Sequence, residues 1–148
     1  MRVSDCMTRD VKVIAPETPI REAARIMARN DVGALPVGDN DRLVGMVTDR
    51  DIVVRGLSEG KSPDTPVREV MSEGICYCFE DEDLQHVVSN MGEQQIRRLP
   101  VMSRSKRLVG IVSLGDLASG KAQRQVGAAL GEITQEGGRH SQSAEARH

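Results

Sequence analysis

Two stretches of the sequence combine a hydroxyl side chain with a carboxylate three residues later, directly after an apolar run. The first motif spans residues 45–51 (GMVTDRD) and the second spans residues 110–116 (GIVSLGD). A Ser/Thr-x-x-Asp pattern is typical of a helix start, where both side chains accept unpaired backbone N–H groups. At the same place a hydroxyl can meet a phosphate, and a carboxylate can accept hydrogen bonds from a ribose. Capping is the commoner role, and the two roles are compatible.

Cations surround the second motif more densely than the first. Arg97 and Arg98 precede the Leu-Pro-Val run at 99–101, and from Gln94 to Arg107 the chain has five cations and no acid. Arg98 begins a predicted strand on the face opposite Leu99, where its guanidinium could hold a phosphate through two hydrogen bonds. The first motif has Ala34 at the equivalent position, and Arg50 could partly compensate. The sequence therefore predicts two chemically unequal sites.

The remaining reactive side chains form no recognisable constellation. Cys6, Cys76 and Cys78 do not have the spacing of a zinc site, so structural thiols are expected, with a thiol- or metal-responsive protein as an open alternative. No Ser-His-Asp, Cys-His or paired-carboxylate set has identifiable partners, and no Gly-rich phosphate loop is present. We therefore expect no enzyme activity, no catalytic residue, no catalytic cofactor and no metal site.

Composition excludes several classes of protein. The 148 residues carry a net charge of -2, and aromatic residues make up only 1%. Nucleic-acid binders depend on positive charge and often on aromatic stacking platforms, so nucleic acid is not an expected partner. No run approaches a membrane span, and the amino terminus lacks the apolar core of a secretory signal. With an odd number of cysteines, these features predict a cytoplasmic protein.

The sequence repeats itself at a shift of 64 to 65 residues. Leu35-Pro36-Val37 recurs as Leu99-Pro100-Val101, the first motif recurs as the second, and a helical apolar stripe at 20–27 recurs at 84–91. A fixed register over separate landmarks indicates two copies of one structural unit. Each copy is marginal alone at this size, so the two should pack together into an α/β (α+β) fold.

Each copy is predicted to run β-α-β-β-α. In the first, Val11–Ile14 forms a strand, Thr18 caps a helix with Pro19 at its first position, a hairpin covers 34–47, and a second helix covers 48–57. The predicted domains are 1–57 and 67–120, with a polar linker at 58–66. Residues 121–148 are predicted to form a carboxy-terminal helix, to about residue 135, and a mobile tail.

The Leu-Pro-Val strand and the Gly-h-h-Thr/Ser-x-x-Asp motif, where h is apolar, both occur twice and in register. On these residues the chain resembles a tandem pair of CBS domains, a Bateman module, over about residues 1–120. It is most similar to small stand-alone bacterial proteins of that family. The resemblance implies two β-α-β-β-α repeats related by a pseudo-twofold axis, and a regulatory module that binds AMP, ADP, ATP, NAD or S-adenosylmethionine in clefts between the repeats.

The resemblance also implies which residues bind the nucleotide. In one site Asp116 would hold the ribose and Arg98 and Ser113 the phosphate, with the other repeat adding Thr18, Ala23 and Val32. A second, weaker site would use Thr48, Arg50, Asp51, Val87 and Ile96. There Ala34 replaces the arginine, and Glu82 replaces the threonine that matches Thr18, so a highly charged nucleotide is not expected.

The family's usual assembly implies a homodimer, with signalling through its conformation or through a separate effector protein. Membrane and nucleic acid are not expected partners. Two alternatives remain open at this stage: a CBS pair that binds no ligand and acts as a protein-interaction module, and the thiol- or metal-responsive protein mentioned above.

Overall fold

The computed structural model describes residues 1–40 and 42–117 together with Gly127, Gly131 and Ile133, and at Asp116 it describes the backbone only. The chain divides into two compact units. Unit A is the continuous segment Lys12–Ile75, and unit B combines Met1–Val11 with the described residues from Cys76 onwards. The predicted tail, and all but three residues of the predicted carboxy-terminal helix, lie outside the described residues.

Unit A contains one long helix, one hairpin and a distorted second helix. Helix α1 (Ile20–Asn30) is followed by antiparallel strands β1 (Ala34–Asp39) and β2 (Arg42–Thr48). The chain then forms α2 (Asp49–Asp51), a π-helical segment (Ile52–Gly56) and a 3-10 turn (Leu57–Glu59). The apolar stripe of α1 packs on the hairpin, since Ile20, Ala23 and Met27 share a buried cluster with Leu35 and Val47.

Unit B repeats this arrangement with one additional strand. Strand β3 (Cys78–Phe79) lies parallel to β4 (Arg98–Met102), which pairs antiparallel with β5 (Leu108–Ser113). Helix α3 (Leu84–Gln94) joins β3 to β4, and α4 (Leu114–Leu117) follows β5. The core contains aliphatic side chains of α3 and the sheet, including Val87, Val88 and Val112, and Ile133 is also fully buried in it.

A short segment from the start of each sequence repeat packs on the hairpin of the other repeat. The first strap (residues 3–8) joins unit B, where Thr8 and Ile111 exchange backbone hydrogen bonds of 2.8 and 2.9 Å. The second strap (residues 67–72) joins unit A, where Met46 and Ser72 exchange bonds of 3.0 and 2.9 Å. The strap residues Val3 and Val67 are fully buried, so each strap completes the core of its unit.

Residues just before each strap accept backbone donors at the helix starts. The Ile20 N–H donates to the Thr65 carbonyl at 2.8 Å, and the Leu84 N–H donates to the Met1 carbonyl at 2.9 Å. The first N–H groups of a helix have no partner within it, so these bonds fix where α1 and α3 begin. The agreement between the two units extends to individual backbone bonds.

Three local predictions were wrong. Of the strand predicted at Val11–Ile14, only Ile14 pairs, in an isolated parallel bridge to Val37. Helix α1 begins at Ile20 with Pro19 as its N-cap residue, because the Ile20 and Arg21 N–H groups donate to the Thr65 and Pro63 carbonyls of the linker. The regular helix predicted at 48–57 instead becomes π-helical after Asp51. Both hairpins and α3 lie where the sequence predicted them.

None of the helices in the described part of the chain is both long enough and apolar enough to cross a membrane.

Candidate functional site

The first motif forms a complete capping box at the end of β2. The Asp51 N–H donates to the Thr48 hydroxyl at 3.0 Å, and the Thr48 N–H donates to an Asp51 carboxylate oxygen at 3.0 Å. The capping role predicted for this pair is therefore confirmed. One Asp51 oxygen, Oδ1, takes no part in the box and faces Arg55, whose Nε lies 4.0 Å away.

Asp51 is a half-buried carboxylate whose surroundings act on it in opposite directions. Its side chain is only 15% exposed. Loss of water raises the pKa of Asp51 above its ordinary value, which outweighs the lowering by the bonds to Thr48 and by the charges of Arg55 and Arg50. Arg50 itself is exposed. The carboxylate is therefore desolvated and already oriented, with an acceptor oxygen that the cap does not use.

The second motif places a hydroxyl directly beside a cation. In the β4–β5 ladder Arg98 is the register partner of Ser113, so the two side chains are neighbours on one face of the hairpin. Both residues are half-buried. No described side chain forms an ion pair or hydrogen bond with Arg98. Asp116 belongs to α4, and its side chain lies outside the described part of the structure.

The two hairpins are alike in geometry and unlike in charge. Ala34 is the register partner of Thr48, as Arg98 is of Ser113. The N–H of the residue after each hydroxyl donates at 3.0 Å to the carbonyl before β1 or β4, from Asp49 to Gly33 and from Leu114 to Arg97. Unit A therefore has a buried alanine, Ala34 at 6% exposure, at the position where unit B has the cation Arg98.

The other predicted site residues differ in how accessible they are. Val32 follows α1 with 42% of its surface exposed, and Thr18 is half-buried. Ala23, Val87 and Ile96 are buried at 0%, 1% and 3% exposure within the cores of their own units. These three side chains hold α1 and α3 against the sheets, and in that position they have no free surface to offer an adenine ring.

The cysteines lie in unit B and form no disulfide. Cys78 is buried, and burial raises the pKa of its thiol to about 12, which keeps it protonated at neutral pH. The Cys6 thiol contacts the Met1 thioether at 3.3 Å. Among residues 1–40 and 42–117, no three His, Cys, Asp or Glu side chains come together as metal ligands.

Two groups of residues escaped the sequence analysis. Arg55 lies one helical turn after Asp51, and its guanidinium also donates to the carbonyls of Val70 and Met71 in the second strap, each at 3.3 Å. The i, i+4 spacing of an acid and a base was the available signal.

The second group is centred on Arg104, which stacks 4.1 Å from the centre of the Phe79 ring and binds both carboxylate oxygens of Asp81 at 3.0 Å. That contact joins two segments far apart in sequence.

Known proteins share both the sequence motifs and the fold. The CBS domain family model matches residues 3–57 and 67–121. The CBS domain-containing protein YhcV of Bacillus subtilis is 41% identical over 133 residues, which cover 89% of this chain and 94% of YhcV. Hypoxic response protein 1 of Mycobacterium tuberculosis is 42% identical over 116 residues, which cover 77% of this chain and 80% of that protein.

Two solved structures are informative about the fold. The crystal structure of hypoxic response protein I, with two coordinated zinc ions, has a TM-score of 0.72 and 40% identity, and the match covers 80% of this chain and 98% of that one. The CBS domain pair of protein MJ0100, in complex with 5'-methylthioadenosine and S-adenosyl-L-methionine, has a TM-score of 0.73 and 28% identity over 80% of this chain and 94% of that one. The predicted α+β fold and family are confirmed: this chain belongs to the CBS domain family, with a tandem pair of CBS domains.

Proposed function

We propose that the chain is a non-catalytic regulatory module that binds an adenosine-containing ligand through the two Ser/Thr-x-x-Asp motifs. The observation that carries the proposal is the pairing of Arg98 with Ser113 on one face of the β4–β5 hairpin. A half-buried cation that pairs with no side chain among the described residues, next to a hydroxyl, suits the phosphate of a nucleotide. Asp116, three residues after Ser113, is assigned to the ribose.

The first motif is proposed as a second, weaker site. Thr48 and Asp51 are held in position by their capping box, and the spare Asp51 oxygen can accept a hydrogen bond from a ribose hydroxyl. Arg50 is the cation available for a phosphate, but it is exposed and its charge is screened by water. We therefore propose that this motif takes adenosine or a nucleoside-like ligand, and that the second motif takes AMP, ADP, ATP or NAD.

The apolar residues assigned by resemblance stay in the proposal with a limited role. Val32 is the exposed candidate for an adenine wall. Thr18, which precedes α1, is proposed as a separate polar contact to the ligand. Ala23, Val87 and Ile96 are proposed to support the ligand from behind, because their side chains are fully packed. A cytoplasmic location, a homodimer and signalling through the dimer or an effector protein complete the proposal.

The experiment compares AMP with adenosine on the whole chain. A ligand that binds the folded state raises the melting temperature, by the equivalent of about 2.7 kcal/mol at a hundredfold excess over Kd. We expect AMP to give the larger shift. Arg98→Ala should weaken AMP binding by about tenfold or more while changing adenosine binding little, because only AMP carries a phosphate. Calorimetric titration measures both affinities.

Arg107→Ala is the matched control, because Arg107 is an exposed cation in the same region and should leave both affinities unchanged. Equal losses for AMP and adenosine in the Arg98 variant would contradict the phosphate assignment. If AMP, ATP, NAD and S-adenosylmethionine all leave the melting temperature unchanged, the sensor function itself is wrong and an interaction module without ligand takes its place.

A further inference from the structure

The side chain of Arg55 contacts both Asp51 of the first motif and the backbone of the second strap. We infer that Arg55 is a positioning residue that ties the candidate ribose-binding carboxylate of Asp51 to residues 67–72, so that a ligand on Asp51 changes how firmly the second strap is held. This inference rests on the proposed function for its ligand and on the geometry of unit A for the connection.

The geometry gives the guanidinium of Arg55 two different sets of contacts. Its Nε lies 4.0 Å from Oδ1 of Asp51. Its Nη1 donates to the Val70 and Met71 carbonyls, both at 3.3 Å. These carbonyls belong to the end of the strap, next to Ser72, which exchanges backbone hydrogen bonds with Met46 in β2. A rigid planar guanidinium cannot move toward Asp51 without changing its bonds to the strap.

The backbone around Arg55 departs from a regular helix. Asp51 is the last residue of α2, and the π-helical segment Ile52–Gly56 follows at once. A π-helix widens the helical turn, and such segments are found frequently at functional sites. Here the widened turn places Arg55, whose side chain is 47% exposed, within reach of both the Asp51 carboxylate and the strap. The distortion thus occurs in the segment that carries the connection.

Electrostatics makes the connection sensitive to what occupies Asp51. The groups acting on this carboxylate are Thr48, Arg55 and Arg50, of which Arg55 has the larger charge effect. A ribose hydroxyl that donates to Oδ1 of Asp51 would compete with Arg55 for this oxygen and weaken its attraction for the guanidinium. The guanidinium would then be freer to strengthen its bonds to the two carbonyls.

The second repeat lacks this residue. The residue four positions after Asp116 is Gly120, so the sequence offers no side chain there to connect the second motif to the first strap. The proposed connection is therefore specific to the first motif. It gives the weaker site a connection that position 120 cannot supply in the second repeat.

The first test needs no ligand and compares Arg55→Gln, Arg55→Lys and the control Arg25→Gln. Arg25 is an exposed cation on α1 of the same unit, and its loss removes one charge without touching the strap. In Arg55→Gln we expect amide exchange at residues 70–72 to become about fivefold faster. We also expect the pKa of Asp51, followed by carboxyl NMR, to rise further. The lysine variant keeps the charge, so it should restore the pKa.

The second test adds adenosine to the wild type and to Arg55→Gln. We expect adenosine to slow amide exchange at residues 70–72 in the wild type and to leave it unchanged in the variant. Unchanged exchange in both proteins, despite measured binding that Asp51→Asn weakens, overturns the coupling. Unchanged exchange and an unchanged Asp51 pKa in the first test overturn the positioning role. If the wild type binds no adenosine, the proposed function of the first motif fails, and the first test still decides the role of Arg55.

Discussion

Asp51 occupies a position that a surface carboxylate seldom tolerates. Its side chain is 15% exposed, yet it accepts the Thr48 N–H and lies near the Arg55 guanidinium. Removing a carboxylate from water disfavours its ionised form, and the raised pKa of Asp51 records that cost. A ligand hydroxyl that donates to it would return part of the lost hydration. Binding of the proposed ligand would therefore be linked to the stability of unit A at this residue.

The sign of its effect on stability follows from the raised pKa. Because the folded state binds the Asp51 proton more tightly than the unfolded state, this residue destabilises the fold when ionised. The penalty disappears as the pH falls below the ordinary aspartate pKa. We expect the free energy of unfolding of the wild type, minus that of Asp51→Asn, to increase from pH 7 to pH 4. Urea titrations at each pH measure this difference, and a decrease toward acid would contradict it.

Cys78 should behave as an inert core thiol. With a pKa near 12, it is protonated at neutral pH and shielded by the core. We expect iodoacetamide to label Cys6 and Cys76, which are partly exposed, well before Cys78 in the native protein. All three should react in denaturant, as read by mass spectrometry.

The raised pKa of Cys78 also predicts that the free energy of unfolding falls as the pH rises from about 9 toward 12, because the thiol ionises first in the unfolded state.

At the scale of elements, the straps and hairpins are joined through two glycines. A Cβ added at Gly45 would lie 2.6 Å from the Ser72 carbonyl oxygen, and one added at Gly110 would lie 2.6 Å from the Thr8 carbonyl oxygen. Both distances are to backbone atoms, which cannot turn away as a side chain would. The glycine that opens each Ser/Thr-x-x-Asp motif is thus explained by the strap that crosses it.

Substituting these glycines should loosen the straps. We expect Gly45→Ala and Gly110→Ala each to lower the free energy of unfolding by about 1–3 kcal/mol, the usual cost of forcing an extra methyl group into a packed contact. Gly115→Ala is the control, because its Cβ would meet only the Ser113 hydroxyl at 3.7 Å. That substitution in α4 should be neutral or stabilising by up to about 1 kcal/mol. Chemical denaturation of the three variants decides, and equal effects would contradict the strap explanation.

The sequence predicted those elements that local patterns determine. The apolar stripes located α1 and α3, and the Leu-Pro-Val runs located β1 and β4. The strand predicted at Val11–Ile14 was wrong. Its apolar residues have strand propensity, but a strand also needs a pairing partner, and only Ile14 pairs, with Val37. The start of α1 was wrong because the linker supplies carbonyls to Ile20 and Arg21, a tertiary contact that no local pattern shows. Spacing predicted the Thr48–Asp51 cap, and the apolar stripe already contained Ala23, which is buried. Only the family resemblance assigned Ala23 to an adenine wall.

At the scale of the molecule, the compact units and the sequence repeats have different boundaries. The family model matches 3–57 and 67–121, whereas contacts group Lys12–Ile75 into one unit and Met1–Val11 with the described residues from Cys76 onwards. Similarity between the two repeat sequences does not show which repeat a strap contacts. Val67, Val70 and Met71 belong to the second repeat by sequence and to the core of unit A by packing.

This difference can be tested with fragments. Residues 12–75 include their own strap in one continuous piece, whereas residues 1–57 carry the first strap and lack the second. We expect fragment 12–75 to fold, marginally for its size, and fragment 1–57 to remain largely unfolded. Circular dichroism and a cooperative urea transition distinguish them. A folded 1–57 fragment would show that the second strap is dispensable for unit A.

The exchange of straps also sets an order of events during synthesis. Unit A is complete once Ile75 has left the ribosome, because all of its parts are continuous in sequence. The first strap emerges before unit A, but its partner Ile111 emerges after it. Until then Val3 and Met7, both buried in the finished protein, have no core to enter. The apolar side chains of the first strap therefore stay exposed until the second hairpin has been synthesised.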